Sequence, residues 1–313
     1  MPILETVVIV VGLMLFEIIS SVDNAVINAD VLSTMSARGR KWFLFYGIFI
    51  AVFLVRGLLP LLIIYLANPS IGIIGAFTAT FSGDENVRST IEASKPLLLA
   101  GGGVYLVFLF LSWLFMETKE YAFFIEEHIH KKLSIWFYTA VSVVLLVIVA
   151  LSIGSRPGLA LGAVIGSTAF FITNGFKQNV EAREKEVMTG HLSDVSKILY
   201  LEIIDFTFSV DGVLGAFAFT LSVPLILIGN GIGAFVLRYL TVRGIETVKK
   251  YRYLKNGAMY SIALLGLIMV LESFHVELSA LLAPVTTVAV VGLFFWLSRR
   301  EIQIENKLEK TQI

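Results

Sequence analysis

Apolar runs near 20 residues recur from one end of this chain to the other, and they decide the fold class before anything else. A helix must be about 20 residues long to cross roughly 30 Å of hydrocarbon. Nine stretches read as candidate helices of this kind: 3–32, 41–66, 95–116, 133–152, 157–174, 195–219, 222–241, 257–272 and 279–297. Of these, 157–174 and 257–272 are short, and 71–81 is too short to span, so it is expected to re-enter the bilayer or lie at the interface. Charged residues are 15% of the chain and mean hydropathy is +0.85, too apolar for a soluble surface of this size. The expected class is therefore all-α, a polytopic membrane helical bundle.

Basic residues orient the bundle. Connections after odd-numbered spans, together with the C-terminal tail, hold 18 of the 24 Lys and Arg residues, among them Arg38, Lys132, Lys177, Lys250 and Lys255. The opposite side holds Arg88 and Arg156. By the positive-inside rule the N-terminus lies outside and the C-terminus in the cytoplasm. The start, Met1-Pro2-Ile3-Leu4-Glu5, lacks a basic leader region, and the first apolar run reads as a permanent span. Net charge is zero, so no basic face is offered to nucleic acid, and the lack of cysteine excludes thiolate metal sites and disulfides.

Two of the spans carry the same acidic pattern. Glu17 precedes Ser21-Val22-Asp23-Asn24 in the first, and Asp205 precedes Ser209-Val210-Asp211-Gly212 in the sixth. In each, an acid lies six residues before the Asp of a Ser-x-Asp. An offset of five spans makes the two copies run in opposite directions, the arrangement of inverted repeats with a site near the midplane. Weaker echoes, Gly101-Gly102-Gly103-Val104-Tyr105 and Asn256-Gly257-Ala258-Met259-Tyr260, extend the match to spans three and eight. The expected division is a first repeat over 1–117, an inserted helical pair with loops over 118–194, a second repeat over 195–273, and a last span and tail over 274–313.

Each ionised carboxylate in a span costs about 3 kcal/mol unless it is paired, protonated or bound to a metal. Arg56 is the one deeply placed cation in this reading, so four acids leave negative charge to be neutralised by protons or a divalent cation. Oxygen-only donors suit Mn²⁺, Mg²⁺ or Ca²⁺, with Zn²⁺ still open. The four acids Glu17, Asp23, Asp205 and Asp211 are the candidate site, with Ser21, Arg56 and Ser209 in support. Glu17, Ser20 or Ser21, Asn24 and Asn28 share a helical face, while Asp23 is turned about 120° from Glu17. Either the helix unwinds near Ser21–Asn24 or the two acids line a wider groove, and Gly212 favours unwinding in the second copy. Glu202 extends the acidic face toward the interface. The Gly158-x-x-x-Gly162-x-x-x-Gly166 ridge reads as a close helix crossing.

These stretches resemble the TerC-like (tellurium resistance protein C) integral membrane family, in an uncharacterised sub-branch. The resemblance rests on Glu17…Ser21-Val22-Asp23-Asn24 and Asp205-x-x-Phe208-Ser209-Val210-Asp211. Lys95-Pro96…Gly101-Gly102 and Tyr253-Leu254-Lys255-Asn256-Gly257 support it. Where many members have Asp-Ser, this chain has Asp211-Gly212, one oxygen fewer. The resemblance implies an exporter, with manganese efflux among the family's associations, and Glu17, Asp23, Asn24, Asp205 and Asp211 as the ion site.

The expected function is export of a divalent cation, Mn²⁺ first, by alternating access with protons as counter-ion, from a prokaryotic inner membrane. No cofactor is expected to be tightly bound. Expected partners are membrane lipid and the metal ion; a homo-oligomer is allowed but not indicated. The rival readings are a carrier of another small solute such as an amino acid, an intramembrane aspartyl enzyme, and an accessory factor. An enzyme is the weaker rival, because the Gly-x-Gly-Asp context of intramembrane aspartyl proteases is absent.

Overall fold

A computed structural model describes residues 3–67, 69, 72, 74, 85–118, 121, 134–154, 156–189, 192–243 and 250–311. The segment 71–81 lies outside these apart from Gly72 and Ile74, as do His128, His130 and His191. Every regular element among the described residues is a helix. In chain order the elements are α1 (Ile3–Ser20), α2 (Val22–Ser33), α3 (Ala37–Trp42), α4 (Arg56–Ala67), α5 (Glu85–Met116), α6 (Ser134–Ser152) and α7 (Pro157–Thr189). They continue with α8 (Asp194–Ala216), α9 (Val223–Arg243), α10 (Leu254–Ser273) and α11 (Leu282–Thr311). Two π-helical stretches, Phe43–Gly47 and Ile50–Val55, join α3 to α4.

Eight of the described helical segments are long and apolar enough to cross a membrane. At 23 residues α8 is long enough too, but Glu202, Asp205 and Asp211 make it more acidic than the others. The polarity of the bundle is that of a membrane protein. Phe45, Phe49, Leu146, Phe176 and Phe235 face outward, whereas Glu17, Arg56, Lys177, Asp205 and Asp211 are buried. Apolar solvent outside and satisfied polar groups inside is the only arrangement hydrocarbon tolerates.

Close glycine crossings hold the middle together. In α5, a Cβ on Gly103 would come within 2.9 Å of the Gly266 carbonyl oxygen, and one on Gly266 within 3.1 Å of the Gly103 oxygen. On its other side α5 meets α7, where a Cβ on Gly162 would lie 2.5 Å from the Leu97 oxygen and one on Gly166 would overlap the Gly101 carbonyl. The expected glycine ridge is thus a crossing at Gly162 and Gly166, but Gly158 has open space around it. Without a hydrophobic drive between helices in lipid, such backbone-to-backbone packing is the main attraction available.

Several expected boundaries shift. The first span is interrupted at Ser21 alone, between α1 and α2. No unwinding accompanies Gly212: α8 runs unbroken through it to Ala216. The fifth expected span, α7, extends to Thr189, well beyond its apolar run, and so places Lys177 inside a helix rather than in a loop. Lys255 likewise falls in the first turn of α10.

Candidate cation site

Each acid of the matched pattern, Glu17, Asp23, Asp205 and Asp211, meets a base from another helix, while Glu202 Oε1 is buried without a hydrogen-bond partner. Glu17, fully buried on α1, receives Arg56 Nε on Oε1 at 3.0 Å, with Nη2 on the same oxygen and Ser21 Oγ donating to it at 3.2 Å. The winding of the preceding stretch positions Arg56. The Ala51 carbonyl accepts both the Arg56 backbone N–H, five residues on, and Arg56 Nη1 at 3.0 Å. Wide turns of this kind occur mostly as single features at functional sites.

Asp205 is the centre of a second cluster. Its Oδ1 accepts from Asn24 Nδ2 at 2.7 Å and Asn28 Nδ2 at 2.9 Å, and its Oδ2 accepts from Arg238 Nη2 at 2.7 Å. The Arg238 guanidinium stacks 4.1 Å above the Phe43 ring. The face shared by Glu17, Ser21, Asn24 and Asn28 on α1 and α2 is thereby turned toward α4, α8 and α9. A carboxylate can only accept, so both asparagines present their nitrogens to Asp205 and direct their oxygens elsewhere.

Asp211 forms a third cluster. Its Oδ1 accepts from Tyr105 Oη at 2.5 Å, and its Oδ2 pairs with Lys177 Nζ. Tyr105 is hydrogen-bonded to Thr173 at 2.8 Å. Asp23 stands apart. Its side chain is 42% exposed and pairs at 2.9 Å with Lys255, which also meets Glu117 at 2.7 Å. Ser209 donates to the Asp205 carbonyl at 2.6 Å, back into its own helix.

The structure therefore gathers Glu17, Ser21, Asn24, Arg56 and Asp205 around one region, keeps Asp211 in an adjoining cluster, and leaves Asp23 outside. Arg238, Lys177, Tyr105 and Asn28 complete the pairing. Arg238 lies within an apolar run, much as Arg56 does, and was open to the same reading. Among the described residues, no three carboxylate or imidazole groups form a ready-made metal shell.

Between the first two clusters is a cavity of about 20 Å³ lined by Asn24, Asn28, Arg56, Asp205, Arg238 and Thr241 with a few apolar residues. That is room for about one water-sized particle. Four buried side-chain oxygens nearby lack any hydrogen-bond partner, Asn24 Oδ1, Asn28 Oδ1, Glu17 Oε2 and Asn230 Oδ1, besides Glu202 Oε1 on α8. The first two belong to residues lining the cavity. The other two flank Gly212: a Cβ there would lie 2.7 Å from Glu17 Oε2, and Asn230 Nδ2 is 3.4 Å from its carbonyl oxygen. Gly212 thus serves to admit the Glu17 carboxylate between helices.

Fold and site together define a polytopic helical membrane protein with a charge-paired, partly unsatisfied polar interior. The chain belongs to the family described as "Protein of unknown function (DUF475)", whose pattern matches residues 22–305. It is similar to "Uncharacterized membrane protein YceF" of Bacillus subtilis (strain 168), at 32% identity over 81 residues. That alignment covers 26% of this chain and 32% of the relative, so the chain spans about a third of the relative it matches. No solved structure matches the chain.

Proposed function

We propose that the chain is a transporter that exports a divalent metal cation, Mn²⁺ before Mg²⁺, Ca²⁺ or Zn²⁺, through the cavity between Asn24, Asn28 and Asp205. The observation that carries this reading is the set of orphaned oxygens. Buried acceptors without donors are costly, and a cation is the ligand that satisfies acceptors alone. The donors are oxygens only, as a hard ion prefers.

The pairing supports two inverted repeats. Glu17 of the first span pairs with Arg56 of the second, and Asp205 of the sixth with Arg238 of the seventh. The remaining two acids cross over: Asp23 reaches Lys255 on the third helix of the other half, and Asp211 reaches Tyr105 on the third helix of its own opposite half. Counting α8 as a span makes nine, with the N-terminus outside and the C-terminus in the cytoplasm of a prokaryotic cell. The resemblance to TerC-like proteins points to the same function. Alternating access with proton return is the mechanism in this proposal. The rivals gain less from the geometry. An amino acid needs far more than 20 Å³. Two aspartates sharing a proton would face each other, whereas Asp205 and Asp211 face different bases.

Titration of the purified, metal-stripped chain with Mn²⁺, Mg²⁺, Ca²⁺ and Zn²⁺ tests the proposal. Saturable Mn²⁺ binding is expected, reduced about a hundredfold or more in Asp205→Asn, a loss near 2.7 kcal/mol. Absence of binding by the folded native chain would sink it.

A further inference from the structure

The cavity is neutral as it stands, with Glu17 and Asp205 against Arg56 and Arg238. A divalent cation entering it would leave two uncompensated positive charges, and one if a guanidinium withdrew. The two arginines are held very differently. Arg56 uses Nε, Nη1 and Nη2, two on Glu17 and one on the Ala51 carbonyl, and is locked. Arg238 holds Asp205 through Nη2 alone, while its Nη1 is buried with no partner. Its ring contact is with Phe43, the first residue of a π-helical stretch.

We infer that Arg238 is a tethered counter-cation, which occupies Asp205 when the carrier is empty and is displaced by the transported ion. The inference rests on the cation-site reading above and names the residue that sets affinity and return at that site. A half-satisfied guanidinium has less to lose on moving than a fully bonded one. The Phe43 face, already 4.1 Å from the guanidinium, is a contact it can keep on leaving its carboxylate. With the arginine back on Asp205, the empty site carries no net charge. The return step across low-dielectric surroundings then avoids a bare carboxylate, and needs no proton at Asp205.

Removing the competitor should tighten the site, opposite to the effect of losing a structural partner. In the full-length chain, Arg238→Gln is expected to lower the Mn²⁺ dissociation constant about tenfold or more. Arg238→Lys retains a buried charge on a shorter stem and is expected to bind a few-fold more tightly than native, by about half that logarithmic step. In proteoliposomes Arg238→Gln should retain Mn²⁺/Mn²⁺ exchange but lose most net efflux, because its empty form leaves Asp205 unpaired. Arg238→Lys should recover net efflux. If native chain binds Mn²⁺ and both variants bind equally or more weakly, the inference falls while the cation site stands. If native and both variants all fail to bind, the site itself fails and the inference with it. Binding by Arg238→Gln alone overturns both readings, since a native chain that cannot take the ion cannot carry it. Should Arg238→Gln not fold, the lysine variant decides by the sign of its affinity change.

Discussion

Glu17 shows how much of the site one side chain can organise. Its Oε1 takes two bonds from Arg56 and one from Ser21, while its Oε2 lies buried and unpartnered against Gly212. A methyl group at 212 would press on that oxygen, and the carboxylate is pinned by Arg56 and cannot swing freely. Gly212→Ala is therefore expected to destabilise the detergent-purified chain by about 1–3 kcal/mol, as overpacking does. Gly212→Ser adds nearly the same bulk but brings a hydroxyl that can donate to Oε2. Its thermal midpoint should exceed that of Gly212→Ala, and equal midpoints would show that the orphaned oxygen has no need of a donor. The acids themselves were legible in the sequence, because a carboxylate inside an apolar run is conspicuous. Their partners were less so. Lys177 sits beyond the end of the apolar stretch 157–174 and reads as a loop residue until the helix is seen to continue. Asn28 could be placed on the right face by helical periodicity, but its contact with Asp205 spans 177 residues and no local rule supplies it.

At the level of elements, crossings depend on where glycine lies rather than on how many there are. The ridge of Gly158, Gly162 and Gly166 has one period, yet only its last two members meet the backbone of α5. Gly166→Ala should force α5 and α7 apart, since the clash is with the Gly101 carbonyl and not with a mobile side-chain tip. A loss of about 3 kcal/mol, at the upper end of overpacking costs, is expected, against a change within about 0.5 kcal/mol for Gly158→Ala. Unfolding midpoints of the two variants, measured side by side in one detergent, check this, and a Gly158→Ala loss as large would refute the assigned crossing. The small-residue spacing was readable as a crossing because only close approach explains it in lipid. Its partner helix and the working end of the ridge were not, since both depend on how far α5 and α7 overlap. The π-helical stretches before Arg56 were also beyond reading. A wide turn changes the apolar period too little within a run that is apolar all round, and Phe43–Gly47 and Ile50–Val55 look like any buried helix.

For the whole molecule, the decisive quantity is parity. Eight described segments are apolar enough to span, and an even number of crossings would put both ends on one side. Among the described helices the count becomes odd if α8 crosses too, and α8 carries Glu202, Asp205 and Asp211. Its acids remove it from the apolar class while their partners, Arg238 and Lys177, make its crossing affordable, so composition and pairing give opposite answers about the same helix. The absence of native cysteine makes the question open to direct labelling. Ile3 and Ile304 are both well exposed, at 85% and 49%, and single Ile3→Cys and Ile304→Cys variants can be probed in intact cells with a membrane-impermeant maleimide. With nine spans and the basic connections inside, Cys at 3 should label from outside and Cys at 304 only after lysis. Labelling of both from the same side would mean an even count. If α8 is then the helix that does not cross, the matched Glu17–Arg56 and Asp205–Arg238 pairs lose their explanation as an inverted repeat while keeping their geometry.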